Sequence, residues 1–348
     1  MTRVDAPRVM TVLGPIDPAD LGVTLAHEHL LIDLRFLADP PVEDWQRDLV
    51  DAVPSLENRG RLAVDPYVSR PNLVLDDLEL AANELAVFAK LGGGSLIDLT
   101  VEGLGQQPLA LAELSRRTGV HIVAGCGFYT KRAHPPMVAE ASEQQLAERL
   151  LETVVSGFPD TEIKPGILGE LGTSAPVHPD EEKVLRAAAD VQQATGLAIN
   201  VHLAIFGREG LHVLDVLERA GTNPSRVVLS HLDEMLDLDY HRAILRRGAY
   251  VEFDTFGSEY YFDQHDEREP SDRERVDALL RLLSDGWAQR LLLSQDVCIK
   301  SQLVRYGGAG YGHLLRTIVP RLRKRGVDDA TLETLLVSNP ARVLTPAK

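Results

Sequence analysis

The run His27-Glu28-His29 is the first feature of the sequence whose residue types and spacing could do chemistry. Side chains at i and i+2 of a β-strand point to the same face, so His27 and His29 would lie side by side while Glu28 points away. Two imidazoles inside a core are costly unless they are hydrogen-bonded or bound to something. The triplet therefore predicts a pair of metal ligands, although triplets of this kind also arise by chance.

Four more potential ligands lie in or at the ends of other short apolar runs. A single histidine in such a position is more often a hydrogen-bonded structural residue than a ligand, but six on one face would require six coincidences. The predicted ligands are His27, His29, Glu170, His202, His231 and Asp296. Imidazoles and carboxylates suit zinc, manganese, iron or cobalt, and the two cysteines of the chain form no zinc-binding pattern.

Two divalent cations on either side of one oxygen give this donor set a defined chemistry. They lower the pKa of bound water towards neutrality and polarise a carbonyl or phosphoryl oxygen. A carboxylate that bridges the cations would hold the pair together. A further carboxylate beside the hydroxide could take its proton and pass it to the leaving group, and Asp296 is the candidate for that role.

These residues have to be positioned by a regular fold, and the sequence alternates short apolar runs with amphipathic helical patterns. We predict strands over 23–33, 94–100, 121–127, 166–172, 198–204, 226–232, 249–255 and 290–296. We predict helices over 76–92, 108–119, 142–157, 180–196, 211–221, 238–248, 275–286 and 313–326. Eight strand–helix units predict a single TIM (β/α)8 barrel over residues 1–348. The alternative, an open doubly wound sheet, predicts a glycine-rich turn after the first strand, which is absent.

Two segments exceed what a minimal barrel needs. Residues 34–73 follow the first predicted strand and are polar and rich in proline, and residues 256–274 follow the seventh and are charged and aromatic. Long connections in compact domains are usually functional or disordered. Because both follow strand ends, we expect them to overhang the face where barrel enzymes bind substrate.

The charge balance limits the classes of partner. The formal net charge is −16, and such a field repels phosphate backbones and anionic lipid, so we expect neither nucleic acid nor membrane as a partner. The first residues lack the apolar core of a signal peptide, and no window approaches 18 uninterrupted apolar residues. We therefore expect a cytoplasmic protein that acts on a small molecule.

Several stretches resemble the phosphotriesterase family, a branch of the amidohydrolase superfamily, and they are spread over nearly the whole chain. They are TVLGPIDPADLGVTLAHEHLLID at 11–33, GFYTKRAHP at 127–135, GILGELGTS at 166–174, INVHL at 199–203, VLSHLDE at 228–234, LSQD at 293–296, YGGAGYGHLL at 306–315 and SNPARVL at 338–344. The resemblance implies that His27, His29 and Asp296 bind a more buried metal and that His202 and His231 bind a more exposed one. It also implies a possible homodimer, and a substrate-facing phenol at Tyr129 that could donate to a carbonyl oxygen. A packed aromatic residue at the barrel rim is an equally good interpretation of Tyr129.

The residue that bridges the metals is where this chain departs from the best-known family pattern. Many relatives use a carboxylated lysine on the fourth strand, but Lys164 precedes Pro165 and lies outside the apolar run. The GELGTS form resembles the phosphotriesterase-homology branch, in which a glutamate bridges, and Glu170 is the matching residue. We prefer Glu170, with a carboxylated Lys164 as the alternative.

The resemblance favours hydrolysis of an ester-like bond by a metal-bridging hydroxide, with a carboxylic ester or a lactone as substrate. Zinc is the first choice for both cations, and manganese, cobalt or iron would also fit. The alternatives are an N-acyl amide hydrolase, a phosphotriesterase and a mononuclear amidohydrolase, in which Glu170 would be idle. A non-catalytic small-molecule binder on the same barrel is a further alternative.

Overall fold

Eight parallel strands are hydrogen-bonded side by side in the order in which they occur along the chain. The computed structural model describes residues 7–262 and 265–347. The strands are β1 Val23–Glu28, β2 Gly93–Asp98, β3 His121–Cys126, β4 Ile167–Gly172, β5 Ile199–His202, β6 Val227–Leu229, β7 Tyr250–Phe253 and β8 Leu291–Leu293. The predicted TIM barrel is confirmed.

A helix follows each strand, because parallel neighbours can be joined only by a crossover that returns to the starting edge. The eight helices that follow the strands are α1 Leu78–Lys90, α2 Pro108–Thr118, α3 Glu143–Ser156, α4 Pro179–Thr195, α5 Gly210–Arg219, α6 Leu238–Arg247, α7 Asp272–Ser284 and α8, which consists of Leu314–Ile318 and Val319–Lys324. Their limits follow local signals. Ser142 caps α3 by accepting from the Gln145 amide, and Gly196 ends α4 with a positive φ of 73°.

The strands are buried on both faces, which explains their nearly continuous Val, Ile and Leu runs. Ile97, Val123, Ile167 and Leu292 belong to an apolar cluster inside the barrel. Residues beside them in sequence, such as Leu96, belong to the larger cluster between the strands and the helices. The apolar layer fills the lower part of the barrel and leaves the carboxyl ends of the strands for polar side chains.

Segments at both ends of the chain pack beneath the barrel, and the sequence analysis did not predict either structure. Strands Val9–Thr11 and Gly14–Ile16 form an antiparallel hairpin, and Val9 joins the inner apolar cluster. The C-terminal helical segments are Asp329–Glu333, Thr334–Ser338 and Asn339–Leu344. The buried Asn339 side chain donates to the carbonyl oxygens of Ala288 and Leu291, which ties this segment to the start of β8.

The two predicted insertions meet each other above the carboxyl ends of the strands. The first is framed by the antiparallel pair Ile32–Asp33 and Val74–Leu75 and contains the short helices Arg35–Leu37, Asp44–Leu49, Arg59–Leu62, Pro66–Val68 and Arg70–Leu73. The second contains the strand pair Tyr261–Phe262 and Glu267–Arg268. The rings of Tyr67 and Phe262 lie 5.3 Å apart, and the Tyr261 amide donates to the Ala63 carbonyl. The expected overhang is present.

Two helices differ from the sequence prediction by more than two residues at one end or in helix type. Helix α7 begins at Asp272 rather than at residue 275, because Ser271 and Glu274 form a reciprocal capping box. Helix α8 is not uniform, since residues Leu314–Ile318 form a π-helical turn before the α-helical turn Val319–Lys324. Pro320 lacks the N–H that a regular α-helix would use at that point.

The seam between the first and the last strand is joined by the Glu28 side chain and by a backbone hydrogen bond from the Asp296 amide to the His27 carbonyl. Within the described residues, no strand ladder joins β1 to β8. Instead, the buried Glu28 carboxylate accepts from the Ser294 hydroxyl at 2.7 Å and from the amides of Gln295 at 3.0 Å and Val297 at 2.8 Å. Glu28 therefore points away from the barrel interior, as the strand alternation predicts, and holds the segment that carries Asp296.

Among the helices that the structure describes, none is both long and apolar enough to cross a membrane.

The Glu28 seam predicts a large loss of stability in the Glu28→Ala variant. The substitution leaves two buried amides and a hydroxyl without an acceptor, and each such group costs about 1–3 kcal/mol. We expect the free energy of unfolding in urea to fall by about 3 kcal/mol. The control Glu113→Ala, on the exposed face of α2, should change it by less than about 0.5 kcal/mol. Equal stability of the two variants would show that Glu28 does not hold the seam.

Candidate metal centre

All six predicted ligands lie together at the carboxyl ends of the strands. His27 is in β1 and Glu170 in β4, and His202 is the last residue of β5. The other three, His29, His231 and Asp296, lie within three residues past the ends of β1, β6 and β8. The barrel brings these side chains from five strands, or from the loops that directly follow them, to one buried cluster.

The Glu170 carboxylate lies at the centre of the cluster, with its two oxygens facing different imidazoles. Its Oε1 is 3.5 Å from His29 Nε2. Its Oε2 is 3.0 Å from His202 Nδ1, 3.4 Å from His231 Nε2 and 3.5 Å from His27 Nε2. A carboxylate in this position could contact two cations at once, one through each oxygen.

The first group of donors consists of His27, His29 and Asp296. Asp296 Oδ1 is 3.3 Å from His29 Nε2 and 3.7 Å from His27 Nε2, and the three donor atoms are close enough to share one cation. His27 Nε2 and Asp296 Oδ1 are buried and have no hydrogen-bond partner among the described residues. Buried polar atoms are rarely left unpaired, so these two fit a bound metal ion.

The second group consists of His202 and His231, with Glu170 between it and the first. His231 Nε2 lies 2.8 Å from His202 Nδ1, and the ring centroids are 4.6 Å apart. His27 Nε2, Glu170 and His231 Nε2 form a further set of donor atoms within reach of one cation. The residues present therefore suit two cations with nitrogen and oxygen ligands.

Polar side chains fix the far nitrogen of three of these histidines. His27 Nδ1 is 3.1 Å from Asp254 and 3.2 Å from Ser230 Oγ, and His231 Nδ1 is 3.3 Å from Asp254. His29 Nδ1 is 2.9 Å from Thr100 Oγ1. Partners of this kind orient metal-binding imidazoles and raise their basicity.

The sequence analysis missed Asp254 and its buried neighbour Glu252. Asp254 follows the last residue of β7 directly, so the strand-end position that identified His231 and Asp296 could also have found it. Glu252 lies inside β7, where its carboxylate accepts from Ser230 Oγ at 2.8 Å. A glutamate within an apolar run of this kind needs a partner and is therefore a usable signal.

The imidazoles and the carboxylates of the cluster shift one another's pKa values. Burial lowers the pKa of His27 and His231, but nearby carboxylates, chiefly Glu170 for His27 and Asp254 for His231, outweigh it and hold both pKa values well above the usual range. Burial alone would raise the pKa of Glu170, but the nearby imidazoles of His27 and His202 outweigh it and hold this pKa well below its usual range. The cluster therefore carries protons that a bound cation would replace.

The backbone is strained at two of the six residues. His231 has a φ of 61° and Asp296 a φ of 45°, in the left-handed region that non-glycine residues rarely occupy. Such residues cost about 1–3 kcal/mol each and persist where the surroundings hold them. The Asp254 carboxylate accepts from the His231 amide at 2.9 Å, and the Asp296 amide donates to the His27 carbonyl at 3.2 Å. These two hydrogen bonds help to hold the strained backbone at the cluster.

Of the two remaining residues considered in the sequence analysis, Tyr129 lies beside the cluster and Lys164 lies away from it. The Tyr129 hydroxyl is 3.1 Å from His202 Nε2, and its buried ring lines the cavity above the cluster. Burial raises its pKa well above 10, so the phenol keeps its proton and can donate. Lys164 precedes the first residue of β4 by three positions, at the end of the strand away from the cluster.

A cavity of about 730 Å³ opens above the cluster. Leu37 and Tyr67 from the first insertion and Phe262 from the second line it, together with Ile205 and Phe206 after β5. Its volume suits a small organic molecule, and an apolar lining with a few polar groups is typical of such sites.

The side of this cavity formed after β6 and β7 is acidic. Glu234 and Glu269 both line it and are both buried. Burial raises the pKa of Glu234 well above its usual range, and the Glu269 carboxylate adds to the effect. The sequence analysis assigned no role to either residue.

The sequence pattern of the phosphotriesterase family matches residues 7–344. The chain belongs to the phosphotriesterase family. It is 36% identical to the N-acetyltaurine hydrolase of Xenopus tropicalis, in an alignment that covers 97% of this chain and 98% of the relative. The family resemblance recognised in the motifs is therefore confirmed, and the chain is a hydrolase of this family.

Three solved structures of related proteins share the fold. A resiniferatoxin-binding protein of Rhodobacter sphaeroides is 40% identical, with a TM-score of 0.95 and coverage of 97% of this chain and 95% of that chain. The phosphotriesterase homology protein of Escherichia coli is 31% identical, with a TM-score of 0.79 and coverage of 94% and 100%. The lactonase Lmo2620 of Listeria monocytogenes is 26% identical, with a TM-score of 0.79 and coverage of 98% and 100%.

The position of Glu170 predicts the metal content of a variant. Glu170→Gln keeps the shape of the side chain but removes its charge and one of its two oxygen ligands. We expect the metal content, measured by elemental analysis of protein purified without chelator or added metal, to fall from about two ions per chain to one or fewer.

The control for this measurement is Glu148→Gln on the exposed face of α3, which should retain the wild-type content. An unchanged content of one ion in both variants would instead favour a mononuclear site in which Glu170 is idle.

Proposed function

We propose that this protein hydrolyses an N-acyl amide with the help of two divalent cations held by His27, His29, Glu170, His202, His231 and Asp296. The observation that carries the proposal is the position of Glu170, whose Oε1 faces the first group of donors and whose Oε2 lies between the two groups. The aligned relative that hydrolyses N-acetyltaurine, an amide, supports the choice of bond.

The donor set fits the cations. His27, His29 and Asp296 would hold one, His202 and His231 the other, and the Glu170 carboxylate would bridge them. Two such ions, when bound, lower the pKa of a water molecule and polarise the substrate carbonyl. Nitrogen and oxygen ligands suit zinc first, and manganese, cobalt and iron also.

We infer that Asp296 transfers the proton in this reaction. In amide hydrolysis, a water oxygen forms a bond to the carbonyl carbon, the C–N bond breaks, and the departing nitrogen must gain a proton. The Asp296 side chain is partly open to the cavity and lies beside the imidazoles of His27 and His29. Its carboxylate would accept a proton from the attacking water and return it to the leaving nitrogen, giving a carboxylic acid and an amine.

Tyr129 would stabilise the charge that develops on the carbonyl oxygen. Its hydroxyl is protonated, lines the cavity and lies beside His202. A fixed donor near the developing oxyanion is worth more in a buried site than in water, because it needs no reorganisation during the reaction.

The sequence analysis favoured a carboxylic ester or a lactone, and lactone hydrolysis is the second candidate. The lactonase of Listeria monocytogenes, which shares the fold at 26% identity, favours it. The same water and the same polarised carbonyl would serve either bond, so the relative's amide substrate decides our order of preference. The resiniferatoxin-binding relative raises non-catalytic binding, but all six donor positions of this chain are occupied by competent ligands.

The Asp296→Asn variant tests the proton transfer. The amide keeps one oxygen to face the imidazoles but cannot take a proton, and general acid–base groups contribute about 10²–10⁴ in rate. We expect kcat for an N-acetyl amide to fall by at least about a hundredfold while the metal content stays at the wild-type level.

The exposed Asp51→Asn variant is the control and should keep full activity. The same preparations are assayed with a lactone. Lactone turnover without amide turnover would replace the first candidate by the second, and normal activity of Asp296→Asn on both would remove the assigned role of Asp296.

A further inference from the structure

Two carboxyl side chains of the cavity have no part in the proposed reaction. Glu234 follows β6 by five residues, and Glu269 belongs to the second insertion, just past the strand Glu267–Arg268. They are 6% and 3% exposed, and both line the cavity above the metal centre. Buried carboxylates are costly unless they are paired, so two in one wall need an explanation.

The nearby cation is Arg275, whose buried Nη2 has no hydrogen-bond partner among the described residues. The fully buried Arg275 lies with its Nε 3.1 Å from the Asp233 carboxylate, and its Nη1 donates to the Ser258 carbonyl. Three carboxyl groups, of Asp233, Glu234 and Glu269, are therefore served by one guanidinium. Two of these three carboxyl groups, those of Glu234 and Glu269, face the cavity.

The two carboxyls differ in their hydrogen bonds. Glu269 Oε2 accepts from Ser258 Oγ at 2.7 Å and from the Tyr260 amide at 2.8 Å, so its position is fixed. Glu234 Oε2 is buried and has no hydrogen-bond partner among the described residues. A buried acceptor that is left unpaired costs about 1–3 kcal/mol, which a donor from a bound molecule would relieve.

The rest of the cavity complements a donor with an apolar stem. Ile205, Phe206 and Phe262 line it and can pack against methylene groups. The lysine and the arginine of its lining, Lys131 and Arg132, lie on another loop, after β3, where Lys131 is 2.6 Å from the Asp180 carboxylate. An ammonium group is therefore favoured at Glu234 and Glu269, and a sulfonate or carboxylate is disfavoured there.

We propose that Glu234 and Glu269 form a subsite for a protonated amine, and that the substrate is an N-acylated aliphatic amine that carries a second, cationic nitrogen. The ammonium donates to Glu234 Oε2 and to Glu269 Oε1, while the acyl group reaches the metal centre. This inference rests on the proposed amide hydrolysis and adds the substrate class to it. It also sets this chain apart from relatives that act on N-acetyltaurine, whose free end is an anion.

Two amides of equal length distinguish recognition of a terminal charge from recognition of chain length. N-acetyl-1,4-diaminobutane ends in an ammonium, and N-pentylacetamide ends in a methyl group at the same position. We expect kcat/KM of the metal-loaded wild type to be at least about tenfold higher for the diamine derivative, since a hydrogen-bonded buried charge is worth that much. Equal values, or a preference for the neutral amide, would overturn the proposal.

Glu234→Gln and Glu269→Gln test the two residues. A glutamine at 269 can still accept from Ser258 and Tyr260 through its carbonyl oxygen, so the wall keeps its shape. Both variants should lose about tenfold in kcat/KM on the diamine derivative, through KM, and keep wild-type values on N-pentylacetamide. The control Asp39→Asn, at the cavity rim, should preserve the preference. A preference that survives both glutamine variants would contradict the subsite.

Failure of the proposed function is recognised separately. If neither amide is hydrolysed, the amide hydrolase assignment falls, and the subsite is tested by calorimetric binding of the same two compounds to the metal-loaded protein. Binding of the diamine derivative at least about tenfold tighter than N-pentylacetamide, and lost in Glu234→Gln, supports the subsite. Equal binding of the two compounds overturns it.

Discussion

The burial of one carboxylate among four imidazoles is the constraint on which the rest of the site depends. Glu170 is almost completely excluded from solvent, and its oxygens lie 3.0–3.5 Å from nitrogens of His27, His29, His202 and His231. Such a charge is tolerated only when opposite charges surround it. The imidazoles of His27 and His231, whose pKa values the carboxylates raise, fill that role in the isolated chain. Divalent cations would fill it better because two neutral imidazoles then remain as ligands on each side.

The fold makes this arrangement possible because the lower part of each strand contributes to the apolar core and its carboxyl end contributes to the site. The lower part of the barrel is an apolar cluster closed from below by Val9 and the C-terminal helix, while the carboxyl ends carry the polar groups. Glu28 lies between two predicted ligands in the sequence, but its side chain points the other way. It joins β1 to the end of β8 and holds the segment that carries Asp296. The insertions then enclose the cavity, and Glu234 and Glu269 make one side of it acidic.

The periodicity of the strands was sufficient to predict the barrel. It also predicted that six donors lie together at one end of the barrel, because each donor lies at or near the carboxyl end of an apolar run. The same reasoning could have reached Asp254, which has that position. It could not reach Glu234 or Glu269, since both lie in irregular loops whose path depends on contacts such as Tyr67 with Phe262. The hairpin Val9–Thr11 and Gly14–Ile16 was missed because three-residue strands carry too few alternations to be recognised.

The most direct test of the account is anomalous X-ray diffraction from crystals of the protein loaded with zinc. The account predicts two anomalous peaks about 3.5–4 Å apart, with one oxygen of Glu170 bound to each. His27, His29 and Asp296 should surround one peak, and His202 and His231 the other. A single peak that leaves Glu170 uncoordinated, or no peak at this cluster, would contradict the account.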